Sequence, residues 1–191
     1  MECPGSADWS ARLANCARRF AAGDVSALGR LFDLTAPRLL RYAQTLTRSR
    51  DDAEDAVQAA IVRVARNPRS LAVVQLPWPY LLRIVRNETL RLMARRKPNV
   101  ELGDGHAISP PAESPLFFHE QQVEVQAALK RLPAEQAEVV VLKIWEELTF
   151  QEIAAVTGES PNTVASRYRY ALTKLECSLK RLASEVGYVV Q

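Results

Sequence analysis

The sequence predicts an all-α protein with two small helical domains joined by a flexible linker, the second domain containing a helix-turn-helix. Apolar residues recur at spacings of three and four along most of the chain, and no alternating run of strand length bounded by turns occurs. Residues 98–118 instead carry four prolines, two glycines and little periodicity, which is typical of a linker. We therefore place one domain at 8–97 and the other at 119–185.

Charge is distributed unevenly along the 191 residues, although the net charge is only +3. Two segments, 86–97 and 160–181, each contain five Lys or Arg residues and a single acidic residue. Two separated basic clusters indicate two contacts with a polyanion such as a nucleic acid. A pair of solvated helix faces would produce the same pattern, so charge alone leaves both interpretations open.

The residue types that carry chemistry in enzymes and metal sites are scattered. Cys3, Cys16 and Cys177 form no CxxC pair, while His106 lies in the linker and His119 just beyond it. The sequence also lacks the glycine-rich phosphate loops and nucleophile motifs of common enzymes. We therefore expect no catalytic residue, no metal and no cofactor. An odd number of cysteines without a signal peptide or a transmembrane run predicts a cytoplasmic protein with no membrane insertion.

Periodicity in the first domain predicts helices over about 8–22, 25–47 and 80–97, with one more helix between the last two. Pro37 falls inside the second of these helices. It should bend or interrupt that helix, because proline lacks the N–H that an interior helical position donates.

The helix between 47 and 67 has two distinct faces. Apolar residues at positions 53, 56, 57, 60, 61 and 64 define a buried face without a miss. The opposite face carries Asp51, Asp55, Gln58 and Val62. The helix dipole alone accounts for acidic residues in the first turn, whereas an exposed Val62 favours a surface that binds a partner.

The segment Asn67–Pro79 contains three prolines and is predicted to be a loop. It is unusually apolar for an exposed loop. We expect its apolar side chains either to fold back on the core or to meet a partner; they are Leu71, Val73, Val74, Leu76 and Trp78.

The helix predicted at 80–97 carries a basic face. Arg83, Asn87 and Arg91 recur at four-residue spacing, and Arg86 lies beside them. Cations near a helix C-terminus are favoured by the dipole, but Arg83 and Arg86 lie too early in the helix for that explanation.

The helix-turn-helix prediction comes from residues 149–175. Thr149 and Glu152 have the spacing of a capping box, which starts a helix. Gly158 is placed to end that helix in a left-handed conformation. Ser160 can then cap a second helix with Pro161 at its first position, where the missing N–H has no helical partner to lose.

The second helix of this motif has two chemically different faces. An apolar stripe of Val164, Tyr168, Ala171 and Leu175 is suited to packing on the first helix. The opposite face can donate to phosphates and read base edges. A solvated face in an ordinary helical hairpin is the alternative. This opposite face consists of Ser166, Arg169, Tyr170 and Thr173, with Asn162 and Thr163 near the N-terminus and Arg167 and Lys174 on the flank.

The order of these features resembles the sigma-70 family of bacterial initiation factors, in its small extracytoplasmic-function (ECF) form. The resemblance covers nearly the whole chain. It rests on DDAEDAVQ at Asp51–Gln58, on WPYLLRIVRNETLRLMARR at Trp78–Arg96 and on the segment Leu132–Leu175. These look like the family's polymerase-docking helix, its −10 helix and its −35-binding domain.

The resemblance implies a role for each motif. The chain would bind RNA polymerase core at the β′ clamp helices and the β subunit, direct it to promoter DNA, and be held in check by an anti-sigma factor. The loop at 67–79 would hold a flipped promoter base, and the linker would thread toward the polymerase active-site and RNA-exit channels. The implied polymerase contacts are Asp52, Glu54, Asp55 and Gln58; the −10 contacts are Trp78, Arg83, Arg86, Asn87 and Arg91; the −35 contacts are Asn162, Thr163, Ser166, Arg167, Arg169 and Tyr170.

Some positions depart from the family pattern. The family often has Glu where Ala59 stands, and Lys and Arg where Ala165 and Leu172 stand. A different class of function is a stand-alone helix-turn-helix regulator that binds operator DNA without polymerase. Such a regulator has no obvious use for the acidic helix or the apolar loop.

Overall fold

The computed structural model of the chain describes residues 6–95, 125 and 127–186. The described residues form helices joined by short turns, with no strand among them, so the all-α prediction is confirmed. The chain divides into two compact units, which are described one at a time. The predicted linker at 98–118 lies outside the described residues.

In the part of the first unit that the structure describes, four helices and one short 3-10 segment pack together. Its core consists of side chains from all four helices, so the periodicity that predicted these helices also marks their packed faces. The helices are α1 Ser6–Ala21, α2 Ser26–Thr47, α3 Arg50–Arg66 and α4 Pro77–Arg95, with the 3-10 segment at Pro68–Leu71. Fully buried core residues include Leu13, Leu31, Leu39, Tyr42, Val57, Val64, Leu81 and Leu82.

α2 runs without interruption through Pro37, so the helix is not broken at this proline, and the alternative of a bend stays a prediction. Pro37 and Asp33 are both exposed. The Asp33 carbonyl, which loses its helical donor, can therefore be solvated by water. Buried Thr35, Ala36 and Leu39 hold the turns around it against the rest of the unit.

Polar side chains fix both turns that flank α2. Asp24 Oδ1 accepts from Ser26 N–H at 3.1 Å and from Ser26 Oγ at 2.6 Å, after Gly23 has turned the chain at φ 101°. Hydrogen bonds from Ser26 and Arg19 lower the pKa of Asp24 below its ordinary value of 3.8. At the other end, Arg48 lies in the left-handed region at φ 57°, and Ser49 Oγ caps α3 by accepting from Asp52 N–H at 3.4 Å.

The segment predicted as a loop at 67–79 is partly helical. A 3-10 turn covers Pro68–Leu71, and α4 begins at Pro77 rather than at Tyr80. A proline at the first helical position has φ already set for a helix and lacks only an N–H that would be unpaired there. Pro79 is tolerated for the same reason, because it also lies in the first turn.

Within the described residues, the second unit contains a helical segment at 127–130, α5 Ala134–Ile144, most of α6 Phe150–Thr157, and α7 Pro161–Val186. Its core cluster consists of Leu132, Ala137, Val140 and Ala171, with Leu129, Trp145, Tyr168 and Leu175 packed against it. The apolar stripe of α7 was predicted to pack on α6. It packs mainly on α5, and the contact with α6 is an edge-on ring pair between Phe150 and Tyr168 with centroids 5.6 Å apart.

Candidate nucleic-acid interface

Reciprocal caps build the helix-turn-helix as its sequence predicts. Thr149 N–H donates to Glu152 Oε2 at 2.7 Å, and Glu152 N–H donates to Thr149 Oγ1 at 3.2 Å. α6 ends at Gly158, which has φ 78°. Ser160 Oγ then accepts from Thr163 N–H at 3.1 Å and starts α7. The predicted cap, break and second cap are all confirmed.

The outer face of α7 brings together most of the predicted −35 residues. Asn162, Arg169 and Tyr170 are exposed, and Ser166 is half-buried beside them. The Arg169 guanidinium lies 3.5 Å from Ser166 Oγ. The Thr163 hydroxyl is engaged with Ser160 Oγ at 2.8 Å, so it helps to shape the helix start. The accessible donors on this face are thus an amide, a guanidinium and a phenol, groups that can bind phosphates and base edges.

Arg167 is positioned differently from its neighbours on α7. Its guanidinium contacts Glu159 at 3.1 Å and Glu135 at 3.3 Å, and its side chain is only 24% exposed. The two carboxylates lie in the turn before α7 and in the first turn of α5. Arg167 therefore connects α7 to its neighbours through two ion pairs.

The basic face of α4 is present on the first unit. Arg83, Asn87 and Arg91 are exposed on successive turns, and Arg86 is half-buried next to them. Arg91 is not a solitary cation, because its Nη1 lies 2.7 Å from Glu88 Oε1. The same oxygen accepts from Arg63 Nη1 of α3 at 3.1 Å.

Trp78 is buried inside the first unit and is 7% exposed. Its ring meets the ring of Trp9 edge-on, with centroids 4.9 Å apart. The Arg38 guanidinium lies over both rings, 4.1 Å from the Trp9 centroid and 4.9 Å from that of Trp78. Trp78 thus fastens the start of α4 to α1 and α2.

The loop before α4 divides into a buried part and an exposed part. Leu71 is buried, whereas Val73 is 83% exposed and Leu76 is also exposed. Leu71 thus folds back on the core, which is the first alternative, and contact with a partner stays a prediction for Val73 and Leu76.

The acidic face of α3 is exposed only in part. Asp55, Gln58 and Val62 are exposed. Glu54 is half-buried and accepts from Arg50 Nε at 2.8 Å, a hydrogen bond that raises the pKa of the Arg50 guanidinium. Asp52 is buried, with 4% exposed, so its carboxylate belongs to the interior of the unit.

Sequence reasoning missed the three residues that organise these faces, Glu88, Arg63 and Arg38. The Glu88–Arg91 pair has the helical i, i+3 spacing and could have been found from the sequence. The Arg63–Glu88 pair spans 25 residues between two helices, and no local pattern signals it.

No group of three or more His, Cys, Asp or Glu side chains in the described ranges could hold a metal ion. Among the helices of those ranges, none is both long and apolar enough to cross a bilayer.

Comparison with known proteins assigns both units to one family. The profile for Sigma-70 region 2 matches residues 31–98, and the profile for Sigma-70 region 4 matches residues 122–175. ECF RNA polymerase sigma factor SigM of Mycobacterium tuberculosis is 32% identical over 170 residues, which are 88% of this chain and 81% of SigM. The chain belongs to the sigma-70 family. It is an ECF-type sigma factor, the class that acts with RNA polymerase in promoter-specific initiation.

Other sigma factors show the same likeness. RNA polymerase sigma-E factor of Streptomyces avermitilis is 32% identical over 146 residues, 74% of this chain and 79% of that protein. The sigma factor RpoE of Bartonella quintana, solved with the anti-sigma factor NepR, matches with a TM-score of 0.67 and 28% identity over 82% of this chain and 98% of that one. CnrH, solved with the cytosolic domain of CnrY, matches with a TM-score of 0.64 over 89% of this chain and 98% of that one; at 22% identity it bears only on the fold.

Proposed function

We propose that this sigma factor contacts the promoter through the outer faces of α4 and α7. The observation that carries the proposal is that the region 2 match contains α4 and the region 4 match contains residues 161–175 of α7, and each helix has an exposed polar and basic face. The −10 contacts are Arg83, Arg86, Asn87 and Arg91, and the −35 contacts are Asn162, Thr163, Ser166, Arg169 and Tyr170.

The exposed face of α3 is the proposed polymerase-docking surface. Asp55, Gln58 and Val62 lie along it, with Glu54 at its edge. A partner helix with basic side chains opposite Asp55 and an apolar one opposite Val62 fits this face. We assign it to the β′ clamp helices of core polymerase, with further contacts to the β subunit.

We assign structural roles to three residues that the family resemblance implied as direct contacts. Buried Asp52 supports the start of α3, buried Trp78 fixes the start of α4, and Arg167 ties α7 to α5. Each acts on its interface by holding the helix in position.

The proposed mechanism uses binding energy to favour strand separation, with no chemical step on the protein. Flipping one base out of the duplex costs a few kcal/mol, and stacking of a base on an apolar or aromatic surface returns about 1–3 kcal/mol. Exposed Val73 and Leu76 give the loop before α4 such a surface. Capture of a flipped base there would make the open state of the −10 region more stable.

The remaining parts of the proposal concern regulation and organisation. Because the relative RpoE was solved with an anti-sigma factor, we propose that this chain is also held by an anti-sigma protein, in the cytoplasm. We further propose that residues 98–118 act as the linker between a polymerase and −10 domain at 8–97 and a −35 domain at 119–185.

In vitro transcription tests the proposal. Purified bacterial core polymerase is combined with the protein on a genomic fragment library, and transcript starts are mapped. We expect discrete new starts that disappear with Asp55→Arg and persist with Asp8→Arg, which reverses an exposed acid of α1. Arg91→Glu and Arg169→Glu should abolish starts while leaving co-elution with core polymerase intact.

Two results would contradict the proposal. The absence of new starts together with the absence of co-elution with core would exclude polymerase docking. Starts that survive Arg91→Glu and Arg169→Glu would show that α4 and α7 do not carry the promoter contacts.

A further inference from the structure

A single carboxylate lies at the junction between the proposed polymerase and −10 surfaces. Glu88 Oε1 accepts from Arg63 Nη1 of α3 at 3.1 Å and from Arg91 Nη1 of α4 at 2.7 Å. The Glu88 side chain is 15% exposed, whereas those of Arg63 and Arg91 are more than half exposed. The acid is therefore set beneath two guanidiniums that reach toward solvent.

The surroundings of Glu88 leave it accessible through a groove. The groove has a volume of about 260 Å³ and is lined by Ala56, Ala59, Glu88, Arg91, Leu92 and Arg95. Because positions 56 and 59 are alanines, the side chains that line the groove on the α3 side are short. Water and a phosphate can therefore approach the Arg91 guanidinium from this side. The Arg91 guanidinium can therefore bind either the Glu88 carboxylate or an incoming phosphate.

Phosphate contacts add affinity but carry no sequence information, because every nucleotide has the same backbone. A carboxylate within hydrogen-bond distance of two guanidiniums competes with a phosphate for both of them. It also repels the phosphate directly, because both groups are anionic. Glu88 therefore weakens the part of DNA binding that does not depend on sequence, while base contacts elsewhere on the −10 surface are left unchanged.

We propose that Glu88 sets the strength of −10 binding, because it neutralises Arg63 and Arg91 and so lowers the part of the affinity that does not depend on sequence. This inference rests on the proposed function, because it takes α4 as the −10 helix. A simpler role for Glu88 is a structural bridge between α3 and α4. The two roles give opposite signs for Glu88→Gln, so they can be separated.

Glu88→Gln and Arg63→Gln are the decisive pair. Glu88→Gln removes the charge with little change in shape and releases both guanidiniums. Arg63→Gln breaks the bridge between α3 and α4 but leaves Arg91 as the principal partner of Glu88, which holds Arg91 more firmly. Asp8→Asn and Arg12→Gln serve as controls, because they change the net charge by the same amounts at an exposed pair on α1, 4.0 Å apart.

The measurement uses holoenzyme assembled from core polymerase and full-length protein. Its affinity is determined for forked promoter fragments with the −10 strand either matched or scrambled, at about 50 to 200 mM salt. With Glu88→Gln we expect affinity for both fragments to rise about two- to fivefold, in line with an exposed ion pair. Because the gain comes from the phosphate backbone, the matched and scrambled fragments should gain about equally, and the salt slope should steepen by about 0.7 for one further phosphate contact on a single strand.

Arg63→Gln should leave the affinity for both fragments unchanged or lower it. A loss of affinity with Glu88→Gln, or no change with it, would overturn the inference and favour the structural bridge. Transcription by wild-type holoenzyme is measured in parallel. If the wild type initiates and Glu88→Gln binds like it, only the inference fails; if the wild type does not initiate, the proposed function fails first.

Discussion

The capping box of α6 leads to a quantitative prediction for the helix-turn-helix. α6 has only eight residues, and isolated helices shorter than about 12 residues are marginal in water, so its first turn matters greatly. Thr149→Ala removes the acceptor that the Glu152 N–H reaches at 3.2 Å. Loss of such a cap costs about 1 kcal/mol. Because about 1.4 kcal/mol is a factor of ten, local opening of α6 should become about fivefold more frequent.

The reciprocal bond gives a second perturbation of the same motif. Glu152→Ala removes the carboxylate that the Thr149 N–H reaches at 2.7 Å, and it also removes a negative charge from the positive end of the helix. Glu152→Ala should again lower the stability of α6 by about 1 kcal/mol. Because both residues belong to one box, the double variant should cost less than the two single costs together, with a coupling of about 0.5 kcal/mol or more.

Amide hydrogen exchange of α6 in the full-length chain measures these effects directly, since exchange reports local opening. Thr173→Ala is the matched control in the same unit. Its hydroxyl donates to the Arg169 carbonyl at 3.1 Å inside α7, and alanine has the higher helix propensity, so this change should be neutral or slightly stabilising. The reasoning would be refuted if the α6 amides of Thr149→Ala exchanged at the wild-type rate. It would also be refuted if Thr149→Ala and Thr173→Ala lost equal amounts of protection from exchange.

Further predictions concern backbone strain, a cation–π cluster and pH. Arg48→Gly and Glu147→Gly should each raise the free energy of unfolding by about 1 kcal/mol in urea titrations, because both residues have φ near 57°, where glycine is not strained. As a control, Ala65→Gly inside α3 should lower the free energy of unfolding by a similar amount. Arg38→Ala should lower the stability of the first unit by about 1 kcal/mol by removing the cation between Trp9 and Trp78, as followed by tryptophan fluorescence. Asp24 has a folded-state pKa below its unfolded value of 3.8, so its carboxylate stabilises the fold above that pH and the stabilisation is lost as pH falls through the folded pKa. The destabilisation by Asp24→Asn should therefore be visible near neutral pH and vanish in acid, and a loss that is constant with pH would contradict it.

Features set by neighbours in the sequence were predictable. The capping box, the left-handed Gly158 and the cap at Ser160 depend on residues within four positions of each other, and all three are present. The buried face of α3 was also read correctly in its main part, because helical periodicity requires only that one side of a helix meet a core.

Features set by distant partners were not predictable. Trp78 is buried because Arg38 and Trp9, from two other helices, form its surroundings. Arg167 forms an ion pair with Glu135, which lies 32 positions earlier in the chain. The interruption expected at Pro37 is absent for a related reason. The missing hydrogen bond destabilises the helix locally, but tertiary packing of the buried residues around Pro37 keeps the helix continuous.

Arginines on both proposed DNA-binding helices form ion pairs with acidic residues, and these pairs lower the affinity of each helix alone for DNA. Arg91 is paired with Glu88, and Arg167 with Glu135 and Glu159. A cation that is already paired releases fewer counterions on meeting a phosphate, so it adds less sequence-independent affinity. Two such helices become effective when polymerase holds both to one promoter, because the second contact then forms at a high effective concentration. In the proposed mechanism, weak binding by each helix is what makes promoter recognition conditional on polymerase.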